Sequence, residues 1–251
     1  MDKYTLKTAF EKSFLGLVWR IETDVANGLL AVETRNKDTG APLFSVFRYT
    51  TGISLIHEMP YGDRYWTLAA IVDNKLILRA YGQNSPDSAG IACIDALSGD
   101  VQWEQFNYAF LAIQDEAIIV RHRNFADGHE QYLAIHHGNL TQKTEALNKP
   151  MRQNIVIPQR HDGYIPAFLE NYDIYGDLFH CTAGQNNVYA FHERDDQLYR
   201  IRLVVSSDSG VLADKVVISG LAKMIPELFF MINKQIFLIG NNKRKIVSYL
   251  V

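Results

Sequence analysis

The sequence predicts an all-β fold, a five-bladed β-propeller of four-stranded antiparallel blades. Three observations carry this: a recurring pair of apolar strands, the spacing of that pair, and the turn residues between. A short apolar strand, a polar loop and a second apolar strand return five times along the 251 residues. The opening strands are read at Leu29–Arg35, Leu76–Gly82, Ile118–Asn124, Leu178–Gly184 and Ile236–Asn242, their starts 42 to 60 residues apart. The answering strands are Phe44–Tyr49, Ile91–Asp95, Tyr132–His136, Val188–His192 and Ile246–Leu250. A repeat of about 40–60 residues made only of strands has the size of a propeller blade. Gly, Asn and Asp separate the strands, where positive φ or side-chain hydrogen bonds close hairpins.

The elements follow in order. The stretch Phe14–Ile21 reads as a spare outer strand, because Gly16-Leu17-Val18-Trp19 resembles Gly99-Asp100-Val101-Gln102-Trp103. The last repeat has no outer strand of its own after Leu250, so the N-terminal strand is expected to complete the last blade and close the assembly. Such closure covers edge groups that would otherwise stay unpaired. Trp19 and Trp103 are expected as wedges between blades. The second blade runs Arg64–Val72, a turn at Asp73-Asn74, Lys75–Tyr81, a loop Gly82–Ala89, Gly90–Asp95, a turn at Leu97-Ser98-Gly99 and Val101–Gln105. The third runs Phe106–Ile113, a turn at Asp115-Glu116, Ala117–Arg123, Tyr132–His136 and Asn139–Thr144. Leu147–Gly163 and Ser206–Gly220 break the pattern and read as surface insertions between blades, either decoration or partner contacts. One domain, 1–251, is expected.

Composition narrows the function classes. A net charge of −3 provides no bulk attraction to nucleic acid or anionic lipid. The short basic runs Arg121-His122-Arg123 and Asn241–Lys245 read as solvated turns. No segment approaches the ~20 apolar residues that span a bilayer, and the charged N-terminal stretch is no signal peptide. The two cysteines, Cys93 and Cys181, fall inside strands of different repeats and read as buried free thiols. The expected location is cytoplasmic.

Residues Gly90–Glu104 (GIACIDALSGDVQWE) combine an apolar strand, Asp95, a turn with Gly99 and a strand ending in Trp103. This stretch resembles the repeat of quinoprotein-type propellers. Together with Val18-Trp19-Arg20-Ile21, Leu30–Arg35, Tyr65-Trp66, Tyr81 and Ser85-Pro86-Asp87, it makes the chain similar to an uncharacterised Bacteroidetes family. The resemblance implies fold and source and carries no activity. The chain lacks the adjacent cysteines of redox quinoproteins and is too short for their eight or so blades. No pyrroloquinoline quinone or other cofactor is therefore expected.

The loops at one end of a propeller line its funnel, and they define the candidate ligand-binding residues: Asp63, Arg64, Trp66, Tyr81, His122 and Arg123. Charged groups beside ring faces suit a polar ligand. No metal site is expected, since there is no Cys-x-x-Cys pair or His-Glu-x-x-His helix. His136 and His137 are strand neighbours that point to opposite faces. The densest local group is His122 with Asp127 and His129, and His161-Asp162-Gly163 is an acid/base pair by residue type that reads instead as turn chemistry. Glu33, Asp63 and Glu170 are acids in different repeats, but paired catalytic carboxylates must face each other, which spacing leaves open. Nucleophile-elbow, Walker and dinucleotide fingerprints are absent. The expected function is a non-catalytic binding or scaffold propeller whose partner is a protein or a polar small molecule, with no nucleic acid or membrane. The alternative is an enzyme acting on a carbohydrate or similar polar molecule.

Overall fold

The structure, a computed structural model, describes residues 6–81, 88–114, 117–125, 129–142, 155–240 and 242–250. The side chain of Tyr81, most of the loop Gly82–Ala89 with Ser85-Pro86-Asp87, the turn Asp115-Glu116, Asp127, residues 143–154 and Asn241 lie outside the described residues. The described chain is all-β, in five antiparallel sheets of the propeller-blade kind.

Strand β1 (Lys7–Ser13) comes first, followed by the first sheet: β2 (Leu17–Asp24), β3 (Leu29–Arg35), β4 (Pro42–Arg48) and β5 (Ser54–Pro60). The second sheet holds β6 (Trp66–Val72), β7 (Lys75–Tyr81), β8 (Ser88–Asp95) and β9 (Val101–Gln105). The third holds β10 (Tyr108–Gln114), β11 (Ala117–His122), β12 (Gln131–Ala134) and β13 (Leu140–Thr141). Next come β14 (Ile155–Val156) and β15 (Gln159–Arg160). The fourth sheet joins β15 to β16 (Tyr175–Ala183), β17 (Asn186–Asp195), β18 (Leu198–Ser207) and β19 (Gly210–Leu221). In the fifth, the order is β1, β22 (Lys245–Leu250), β21 (Gln235–Ile239), β20 (Phe230–Ile232), β14. The N-terminal strand thus joins the last sheet, with Lys7 opposite Leu250 and Ser13 opposite Lys245.

Two details differ from the sequence reading. The closing strand is Lys7–Ser13, whereas Phe14–Ile21 supplies most of β2, which pairs with β3 from Leu17 opposite Arg35 to Asp24 opposite Leu29. The reason is local. Asp24 accepts the Asn27 backbone N–H at 3.1 Å and its side-chain amide at 2.8 Å, so β2 and β3 close as a hairpin. Trp19 is consequently no wedge: it is 68% exposed, at a bulge where the register steps from Val18 to Arg20. Ala69 and Leu111 occupy the same bulge in β6 and β10. The second difference is that the two proposed insertions build sheet. Residues 155–160 add a fifth strand to each of the last two sheets, and Ser206–Gly220 holds the end of β18, its turn and most of β19. The chain falls into two compact units, Phe14–Gln153 and Met1–Ser13 with Asn154–Val251.

Within the first unit, Leu29, Ala31, Phe44 and Val46 of the first sheet pack on Leu68, Leu76, Leu78 and Ile94 of the second. Ile77, Ile91 and Cys93 then pack on Ile118, Val120, Leu133 and Ile135 of the third. Trp103 is a wedge as expected. Its indole N–H donates to the Ile135 carbonyl at 2.7 Å, and its ring lies against Gly138 of the next sheet. The Asp95 turn also forms as read: Oδ1 accepts the Leu97 and Ser98 N–H groups, and Gly99 donates to the Asp95 carbonyl at 2.8 Å. The same glycine-closed turn recurs at Gly52 and Gly138, each donating to the carbonyl four residues earlier. In the second unit, Val188, Ala190, Leu203 and Val205 pack on Met231, Ile236 and Leu238. The opposite face of the fourth sheet is covered by Leu169, Phe168, Tyr172 and Ile174, which surround a short 3-10 turn at Ala167–Leu169.

Candidate functional site

Strand alternation puts Glu33 and Arg35 on one face of β3. Glu33 is fully buried. Its Oε1 accepts from Arg35 Nε at 2.5 Å, and its Oε2 accepts the Thr67 hydroxyl at 2.6 Å and the Leu68 N–H at 2.7 Å. The rest of the guanidinium donates to the carbonyls of Gly40 at 3.0 Å, Arg64 at 2.6 Å and Trp66 at 2.6 Å. Both members of this pair are satisfied, as buried charges require. The pair is a rivet between β3 and β6, and three donors hold the carboxylate that the sequence offered as a candidate acid. Asp63 is an exposed turn residue, and Glu170 is exposed just after the 3-10 turn of the other unit.

The carbonyls that Arg35 grips hold the approach to β6. Asp63 Oδ1 accepts the Tyr65 N–H at 2.9 Å, and the Asp63 carbonyl accepts the Trp66 N–H at 3.1 Å. The Arg64 side chain turns outward, donating to the Tyr65 hydroxyl at 2.7 Å over that ring. Trp66 is buried, with Tyr61 and Phe106 edge-on to it at 4.8 and 6.4 Å. A methyl group at Gly62 would fall within the Trp66 ring, so that face is closed by backbone. Tyr61 donates to the Glu104 carboxylate, and burial followed by that negative charge raises its phenol. Trp66 therefore organises this end of the second sheet.

Phe106 leads from Trp66 to the third sheet. Its carbonyl accepts from Arg123 Nη1 at 3.1 Å, while the Arg123 N–H donates to Asn107 at 2.8 Å. His122 closes β11 with its ring against Tyr108 at 5.5 Å and Phe125 at 5.1 Å. Phe106 and Phe125 are 50% and 62% exposed, and Arg123 and Arg64 are exposed. The structure thus brings Asp63, Arg64 and Trp66 into one chain of contacts with His122 and Arg123. Tyr81 ends β7, its backbone opposite Ser88. Sequence reasoning missed Arg35, Phe106, Tyr108 and Phe125. The available signal was aromatic residues on either side of the Arg-His-Arg run.

The second unit holds a separate ionic group: Glu193, 4% exposed, accepts from Arg200 at 2.7 Å and Arg202 at 2.9 Å, and Arg202 donates to Asp214 at 2.6 Å. A cleft of about 250 Å³ lies between β19 and the β1–β22–β21 edge, walled by Glu11, Tyr249 and Lys245, and the Lys245 amine meets Glu11 at 2.6 Å. Among the described residues no three His, Cys, Asp or Glu side chains converge as a metal site, and no helix is long and apolar enough to cross a membrane.

Several solved structures are similar in fold. BamB from Moraxella catarrhalis is 11% identical, with a TM-score of 0.37 over 94% of this chain and 85% of that one. The β-propeller domain of the Trilobed protease from Pyrococcus furiosus is 10% identical, with a TM-score of 0.35 over 90% and 78%. A quinohemoprotein alcohol dehydrogenase from Pseudomonas putida is 7% identical, with a TM-score of 0.32 over 83% and 44%. No curated protein matches the chain. Residues 23–103, from the end of β2 through Trp103, match a family described as a domain of unknown function (DUF4905).

Proposed function

We propose that this chain is a cytoplasmic, non-catalytic binding or scaffold protein of a Bacteroidetes bacterium. Its contact surface is the rim built by Arg64, Phe106, His122, Arg123 and Phe125. The observation that supports this is the pair of exposed rings, Phe106 and Phe125, set beside exposed arginines. Exposed aromatic rings beside Arg are the residue types enriched at the energetic centres of interfaces. The buried Glu33 carboxylate, a candidate acid by sequence, is engaged by Thr67 and Leu68 and ties two sheets together. The partner that fits is a protein segment with acidic and apolar side chains.

The test is a thermal-shift and fluorescence-anisotropy screen of the full chain against acidic and aromatic peptides, sugars and nucleotides. A peptide that binds wild type and is lost in Arg123→Ala and Phe125→Ser supports the reading. Stabilisation by sugars alone, with turnover of an aryl glycoside, replaces it with the carbohydrate-enzyme alternative.

A further inference from the structure

We propose that His161 and His180 form a two-imidazole site for a borderline divalent cation, Cu²⁺ or Zn²⁺, on the face of the fourth sheet that carries Tyr189. The two residues are 19 positions apart in sequence, a spacing that matches no ligand motif. Topology brings them together: Gln159 pairs with His180 across β15–β16, and the His161 N–H continues that ladder to the Leu178 carbonyl at 2.8 Å. His161 and Gln159 lie on one face of their strand, so His161 is diagonal to His180 on the same face. The ring centroids are 6.0 Å apart, with planes inclined at 70°.

Two further features fit metal ligation. Imidazole nitrogens bind Zn²⁺ at about 2.0–2.1 Å, which puts two rings on one ion with centroids roughly 5–6 Å apart. Each ring also has one nitrogen engaged by an oxygen: His161 Nε2 meets the Tyr164 carbonyl at 3.0 Å, and His180 Nε2 meets Asn187 Oδ1 at 3.1 Å. A histidine that donates one ring N–H to an oxygen keeps its other nitrogen as a lone pair and is fixed in orientation, as metal-binding histidines are. Tyr189, itself buried, lies 4.7 Å from the His180 ring and 6.1 Å from the His161 ring, with Phe168 behind it. These rings give the pair a rigid apolar wall. The nearby carboxylates of Asp162 and Asp177 are engaged by Arg160 at 3.5 and 3.3 Å, so solvent completes the coordination. Imidazole ligands without thiolates favour Cu²⁺ and Zn²⁺ over Mg²⁺ and Ca²⁺.

The test titrates Cu²⁺ and Zn²⁺ into the full chain by calorimetry, with electron paramagnetic resonance of the Cu²⁺ complex. Expected is one equivalent bound at micromolar affinity, a hyperfine pattern from two nitrogens, and a loss of at least about tenfold in His161→Ala and in His180→Ala. His137→Ala controls for other histidines and leaves binding unchanged, while melting curves without metal confirm that each variant is folded. Equal binding by wild type and both folded site variants overturns the assignment, as does a single-nitrogen spectrum.

Discussion

Replacing Gly138 by alanine tests how one sheet seats on the next. Gly138 has φ of +65°, and an added Cβ would meet Trp103 Cδ2 at 2.6 Å, Cε3 at 2.7 Å and Cγ at 3.0 Å. The left-handed backbone costs an L-residue about 1 kcal/mol. Forcing a methyl against a held ring adds about 1–3 kcal/mol, because the indole is pinned by its hydrogen bond to Ile135. Gly138→Ala should therefore destabilise by about 2–4 kcal/mol, near 10 °C in melting temperature for a chain of this size. Trp103 is half-buried, so Trp103→Ala should cost about 2–3 kcal/mol, below the ~3–5 of a fully buried Trp. The assay is urea denaturation of both single variants and the double variant. Once the ring is gone only the backbone cost remains, so the double variant should be more stable than the sum of the singles by about 1–3 kcal/mol. A coupling energy under about 0.5 kcal/mol would show that the ring does not rest on the glycine, and the account of how these sheets dock would be wrong.

Glu33→Gln should lower the urea midpoint by the equivalent of about 1–3 kcal/mol, because it removes the charge partner of the partly buried Arg35 and disturbs the acceptor held by Thr67 and Leu68; an unchanged midpoint refutes the rivet. Trp19→Ala should change stability by less than about 0.5 kcal/mol, since the ring is mostly in water and only faces the Arg35 guanidinium at 5.9 Å. A large loss would restore Trp19 as a wedge. Burial holds the His192 imidazole below its ordinary value, and its Nε2 accepts the Ile225 N–H at 3.2 Å. A folded pKa below the unfolded value means that the folded state binds fewer protons. This contribution is complete above the unfolded pKa of about 6.5 and is lost as pH falls below it, by at most about 1.4 kcal/mol per pH unit. The urea midpoint should drop between neutral pH and pH 5, and His192→Gln should flatten that drop; identical pH profiles would count against it.

Strand identity was legible in the sequence because period-2 burial and turn chemistry act over a few residues. Leu29–Arg35 is β3 residue for residue, and the Asp95–Gly99 turn closes through the hydrogen bonds its residue types imply. The error over Phe14–Ile21 shows the limit. A Gly-x-Val stretch ending in Trp looks alike in an outer strand and at a bulge, and only pairing distinguishes them. Five of the six candidate rim residues could be placed in one contact chain, yet their division of labour could not be foreseen. Trp66 looks like a ligand platform in sequence, but Gly62, Tyr61 and Phe106 enclose it. His161 and His180 gave no signal, since a diagonal pair across two strands has no fixed sequence interval.

By itself the sequence determined that the chain is all-β and that it repeats five times, whereas its expectation that an N-terminal strand covers the edge of the last sheet fell on the wrong segment. Those outcomes follow from apolar alternation, turn residues and the cost of unpaired backbone groups, all of which are local. Tertiary structure alone decided which N-terminal strand does the covering, that Glu33 and Arg35 are spent on holding two sheets, and which rings stay in water. Each of these depends on which strand lies beside which, and that is settled by contacts between residues far apart in the chain.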